Sequence, residues 1–128
     1  MKRYDVNEFN QVMRARTRDF AIRIFNAIGM LKLSEISRIP VKQLINSSSS
    51  VAANYHSATR GRSAAEYYSK VCIVVEECDE TIFWIDFLVA TGILKVEAVQ
   101  GISAEADELL KIFSTIKKKL KIKRYNNT

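Results

Sequence analysis

The side chains best equipped for chemistry are four carboxylates, Glu76, Glu77, Asp79 and Glu80, set just ahead of Trp84, with two thiols, Cys72 and Cys78, and one imidazole, His56. Glu77 and Glu80 fall on the same helical face as Trp84, and a carboxylate among large apolar groups needs a donor or holds its proton more firmly. Arg16 and Arg23, which border an apolar stripe early in the chain, are the expected donors of a structural ion-pair network. A di-iron site would need Glu-x-x-His pairs, and the sequence has none. Cys72 and Cys78 lie on one helical stretch and leave its axis about 120° apart, so they cannot bridge each other, and no further ligands stand at zinc spacing. Both read as buried thiols. There is no Gly-x-Ser-x-Gly elbow, phosphate-binding loop or Cys-x-x-Cys pair, and His56 has no nucleophile at a motif spacing. The expectation is a protein that is not an enzyme and has no catalytic residues, metal or cofactor.

A second group of residues is basic. Residues 1–62 carry 11 basic and 4 acidic groups, residues 63–110 carry 2 and 10, and residues 111–124 carry seven basic groups and no acid. The charge is therefore segregated within a net of +6. Lys117, Lys118, Lys119, Lys121, Lys123 and Arg124 end the last apolar-periodic segment, Arg60 and Arg62 sit in a turn, and Arg14 and Arg18 lie one turn apart, away from the apolar stripe of their helix. Such clusters attract phosphate backbones. Without an RRM, KH or helix-turn-helix signature, the expected contacts to RNA or DNA are with backbone and shape, not with base edges. For any single lysine, a solvated tail is the plainer alternative.

The elements that must position these residues are helical. A chain of 128 residues, 48% of them hydrophobic, is long enough for one packed domain, and 4 Gly with 1 Pro are too few turn-formers for an all-β fold. Phe9, Met13, Thr17, Phe20, Ile24 and Ile28 recur at steps of three and four, predicting a helix over about 7–29. Pro40 suits the first turn of a second helix over about 40–59, carried on by Leu44, Ser48, Val51, Tyr55 and Ala58. The run Ser47–Ser50 reads as part of that helix, not as a linker, because small side chains let a neighbouring helix approach. Ser63 and Glu66 form a capping-box pattern opening a third helix over about 63–91, with Gly92 just past its end. Val99, Ile102, Ala106, Leu109, Phe113, Ile116 and Leu120 predict a fourth helix over about 96–122 that crosses Gly101.

The expected fold is all-α, a single domain over 1–128, arranged as an antiparallel up-down-up-down four-helix bundle. That order brings the lysine-rich end near Arg60 and Arg62. Met1–Asp5 lacks the apolar core of a signal peptide, and no stretch of about 18 apolar residues occurs, so a cytoplasmic protein without membrane contact is expected. The Asn-x-Ser/Thr sequences at Asn46 and Asn126 carry no meaning in that compartment. The third helix is apolar nearly all round, with Val71, Val74, Ile82, Ile85 and Val89 on one arc, Cys72, Phe83 and Phe87 on another, and Ile73, Trp84 and Leu88 between. A helix of that kind is buried on more than one side. This points to a homo-oligomer, or to a central position in the bundle with polar residues covering the gaps.

The segment Gln43-Leu44, Ser50-Val51-Ala52-Ala53-Asn54-Tyr55 and Ala58, followed by Tyr67-Tyr68 and Glu76-Glu77-Cys78-Asp79-Glu80-Thr81-Ile82-Phe83-Trp84, resembles the bacterial four helix bundle protein family. Its members include proteins encoded by intervening sequences in large-subunit ribosomal RNA genes and the Avd accessory proteins of diversity-generating retroelements. The likeness runs from about Phe9 to Leu120. It implies a bundle that assembles into a homopentameric ring with a basic surface and, for the retroelement members, binding to a reverse transcriptase and its template RNA without catalysis. Asn54, Glu77, Glu80, Phe83, Trp84 and Phe87, with Arg16 and Arg23, are the expected structural or oligomer-interface residues. The family usually has a basic residue where Asn46 stands and Glu-Ala where Ser57-Ala58 stands. If those charges pair in relatives, the pair is lost together here; if they contact a ligand, the ligand differs. The shared motif marks the fold and not the partner. The expected function is a non-enzymatic nucleic-acid-binding accessory protein, the alternative being a protein-interaction scaffold with no direct nucleic-acid binding.

Overall fold

A computed structural model describes residues 6–126. Met1–Asp5, used above for targeting, and Asn127 and Thr128 of the second acceptor sequence lie outside the described residues. Four helices follow in order: α1 (Val6–Gly29), α2 (Arg38–Thr59), α3 (Ala64–Ala90) and α4 (Val96–Asn126).

Local chemistry accounts for most of the boundaries. A turn precedes α2, in which the Ser37 N–H donates to Ser34 Oγ at 3.2 Å, so the helix starts at Arg38, two residues before Pro40. Pro40 still occupies the first turn, where an N–H has no helical partner to lose. At the start of α3 the Glu66 N–H donates to Ser63 Oγ at 3.1 Å, while Glu66 Oε2 accepts from the Arg62 N–H at 2.7 Å. The return bond thus reaches one residue further back than the capping-box pattern expects. Gly92 ends α3 with φ of 79°, a left-handed conformation in which a Cβ is strained. The Leu94 N–H then donates to the Leu88 carbonyl at 3.0 Å and Leu94 turns inward onto the core. α4 continues past 122 to Asn126, because its terminal lysines are good helix formers whose charge suits the carbonyl end of the helix.

The apolar stripes meet in one core, built on Phe20 and Ile24 of α1, Leu44, Val51 and Tyr55 of α2, Val74 and Leu88 of α3, and Leu109 and Phe113 of α4. Four polar side chains are buried with them: Thr17, Ser47, Ser48 and Thr81. Each hydroxyl donates to a carbonyl about one turn back, Ser48 to Leu44 at 2.8 Å and Thr81 to Glu77 at 2.7 Å among them. Among the described residues no buried side-chain nitrogen or oxygen lacks a partner. The serine run is therefore helix interior, with the hydroxyls of Ser47, Ser48 and Ser49 satisfied by their own backbone and that of Ser50 accepting from the Asn54 amide. α1 packs on α2 and α4, and α3 also packs on α2 and α4, so α1 and α3 are not neighbours. The pairings put Asn10 and Arg14 of α1 on Tyr55 and Thr59 of α2, Arg16 of α1 on Glu105 of α4, and Arg124 of α4 on Tyr68 of α3.

Two glycines separate local strain from helix propensity. Gly92→Ala forces a Cβ into the left-handed region and should lower stability by about 1–2 kcal/mol. At Gly101 a Cβ would lie 3.0 Å from Nη2 of Arg23, the far end of a flexible exposed side chain that can swing aside. Gly101→Ala should therefore raise the thermal midpoint through a helix-propensity gain of about 1 kcal/mol. Thermal denaturation of the two variants checks both signs, and a fall for Gly101→Ala would mean that Arg23 is held in place.

Candidate nucleic-acid interface

The C-terminal turns of α4 carry Lys117, half-buried, and Lys118, Lys119, Lys121, Lys123 and Arg124, all exposed. The Arg124 guanidinium sits over the Tyr68 ring at 4.8 Å, which fixes this end of α4 beside the first turns of α3. Arg60 and Arg62 line a shallow groove of about 560 Å³ between the end of α2 and the start of α3, with Ser57, Gly61, Ala65, Glu66, Ser69 and Lys70. Lys70 belongs to this basic end and was missed in the sequence reading, because averaging charge over the acidic stretch 63–110 hid it. Its position four residues after Glu66, on the first turns of the helix that Arg62 leads into, was the available signal.

Of the expected exposed strip, Arg18 is exposed and Arg14 is not. Arg14 is half-buried and donates from Nη1 to Thr59 Oγ1 at 3.0 Å, and both arginines line a groove of about 700 Å³ between α1 and α2. The groove is open because its other wall is made of Ser49, Ala52 and Ala53, with His56 beside them, and these are too small to fill it. Through Thr59, Arg14 also joins the end of the bundle that carries Arg60 and Arg62.

The expected pairing of Arg16 and Arg23 with Glu77 and Glu80 does not occur. Arg16 instead makes a two-pronged contact with Glu105 of α4, from Nε at 2.8 Å and Nη2 at 2.6 Å, and Nη2 also meets Glu108 at 3.0 Å. Arg23 lies against Gly101, also on α4. The reason is topological: α1 borders α4 and does not border α3. The Glu105 hydrogen bond holds the Arg16 proton more firmly than usual.

On α3, burial raises the Glu77 carboxyl above the usual carboxylate range, and the neighbouring Glu80 and Glu76 charges add to the shift. Glu80 is exposed and accepts from Trp84 Nε1 at 3.5 Å. Trp84 is half-buried and makes edge contacts with Phe83 at 4.9 Å and Phe87 at 5.5 Å. Phe83 is 55% exposed and Phe87 39%, so this cluster stands on the outside of the bundle. Asn54 donates to the Ser50 carbonyl and hydroxyl at 2.9 and 2.8 Å, which ties its amide along α2. Burial pushes the Cys78 thiol up to about 12, whereas Cys72 is only half-buried, which corrects the reading of both as buried. Among the described residues no group of three or more His, Cys, Asp or Glu side chains could hold a metal ion, and no helix is long and apolar enough to cross a membrane.

Residues 10–115 match the family model described as 23S rRNA-intervening sequence protein. Among solved structures, the chain is similar to a protein of unknown function from the S23 ribosomal protein family of Bacteroides thetaiotaomicron VPI-5482. The two share 28% identity with a TM-score of 0.77, over 85% of this chain and 97% of that one. No curated protein matches the chain.

Glu77 supplies a pH test. A carboxyl whose pKa is higher folded than unfolded favours the fold while protonated and opposes it once ionised, so its penalty grows as pH rises through the folded-state value. Glu77→Gln should raise the thermal midpoint at neutral pH, and the gain should vanish at about pH 3, where the carboxyl is largely protonated in both states. An equal gain at both pH values would show that burial of the charge is not the cause.

Proposed function

This chain belongs to the 23S rRNA-intervening sequence protein family, and on that footing we propose that it is a non-enzymatic, oligomeric accessory protein that binds nucleic acid, RNA above all, through one end of its bundle. The observation that carries the reading is that Arg124 of α4 covers Tyr68 on the first turns of α3, which also form the groove with Arg60, Arg62 and Lys70, so the two basic groups share one end of the bundle. Two of the α4 carboxylates, Glu105 and Glu108, are engaged by Arg16, and Glu66 is the one carboxylate among the residues lining the groove. Lys117, Lys118, Lys119, Lys121, Lys123, Arg124, Arg60 and Arg62 contact phosphates, with Arg14 and Arg18 at the margin along the α1–α2 groove.

The helices form an antiparallel up-down-up-down bundle in this reading, supported by the pairing of the first turns of α1 with the last turns of α2 and of the end of α4 with the start of α3. Copies associate into a pentameric ring through the Phe83, Trp84 and Phe87 cluster of α3, whose exposure favours a covering partner. Of the roles that the resemblance suggested, the family description favours association with a ribosomal RNA gene or its transcript over partnership with a reverse transcriptase. The competing reading, a protein-interaction scaffold in the cytoplasm with incidental charge, draws on the same exposed aromatic cluster.

Anisotropy titration of a structured RNA at about 50 and 200 mM salt separates the two. Contact with roughly 6–10 phosphates should cost about 10³–10⁵ in affinity over that range, whereas a scaffold binds no RNA at either. Replacing Lys117, Lys118, Lys119 and Lys121 by Glu should abolish binding with the oligomer mass unchanged, and full retention would refute the assigned surface. Phe83→Glu together with Phe87→Glu should leave a folded monomer by mass; an unchanged oligomer would place the interface elsewhere.

A further inference from the structure

The basic end holds aromatic rings as well as charge, and the two kinds of group suit different parts of a polynucleotide. Tyr125 is 81% exposed on the last turn of α4. Its neighbour Arg124 stays exposed while covering the half-buried Tyr68 ring at 4.8 Å. On the other flank of the first turns of α3, Arg60, Arg62 and Lys70 line the groove of about 560 Å³. An exposed tyrosine and a guanidinium braced on a second tyrosine are surfaces on which a flat ring stacks, and a groove with three cations to the one carboxylate of Glu66 tracks a phosphate backbone. A duplex offers only its phosphates and sugar hydroxyls to such a surface, because its base faces are already stacked on one another.

We propose that the basic end of the bundle binds an unpaired RNA segment, with bases stacked on Tyr125 and on the Arg124–Tyr68 pair while Arg60, Arg62 and Lys70 hold the phosphates. This rests on the nucleic-acid reading above and narrows it to single strands. Stacking needs no base-edge contacts, so the site is tolerant of sequence.

The test uses the full chain and a labelled unpaired RNA of about 12 nucleotides, alone and annealed to its complement. Tyr125→Ala should weaken binding of the unpaired strand about 5- to 150-fold, the equivalent of one lost stacking contact, and leave duplex binding unchanged. Tyr125→Phe should retain the affinity of the parent. Arg124→Lys, which keeps the charge and loses the planar group, should weaken the unpaired strand selectively as well. Equal affinity of parent and Tyr125→Ala for the unpaired strand overturns the proposal, as does tighter binding of the duplex by the parent; both leave the nucleic-acid reading standing. Binding of neither probe by the parent removes that reading and this one with it.

Discussion

One buried ring ties the four helices together. Tyr55 of α2 lies 5.0 Å from Phe113 of α4, donates its hydroxyl to Asn10 of α1 at 3.0 Å and stands within hydrogen-bonding influence of Tyr67 of α3. A phenol fully removed from water must keep a partner, and burial raises its pKa far above the ordinary tyrosine value. The helix ends that reach Tyr55 are therefore held in register with one another. They are the ends from which Arg14, Lys70 and the terminal lysines project, so the geometry of the basic surface depends on this one hydrogen-bonded aromatic contact.

The rest of the electrostatics is a matter of which charges are answered. Arg16 takes up Glu105 and Glu108, and the acidic residues of α3 crowd one another instead of meeting the arginines of α1. The chain thereby separates into a basic end and an acidic flank. A net charge of +6 understates the local field at that end, because most of the carboxylates that reduce it lie further along the helices.

The aromatic cluster of α3 is held as a unit by its own edge contacts, with Trp84 half-buried and the Glu80 carboxylate beside its indole nitrogen. The bundle covers Val74, Thr81 and Leu88 of this helix, while Phe83 and Phe87 on its outer face remain exposed. Glu77 lies at the border between the two faces, where partial burial raises the cost of its charge.

Helix existence, the burial of alternate three- and four-step positions, the Ser63 cap, the Gly92 stop and the helical serine run were all legible in the amino-acid sequence. Each depends on neighbours within about one turn of chain, where residue type and spacing act directly on the backbone. The partners of Arg16 and Arg23 and the groove that takes Arg14 and Arg18 were not legible. Those depend on which helices stand side by side and how each is rotated, and a periodic stripe states only which face turns inward. Because α1 borders α4 and not α3, arginines that match the α3 carboxylates in charge meet those of α4 in space. The sequence by itself determined the elements; the packing order of the four helices decided which of their side chains meet.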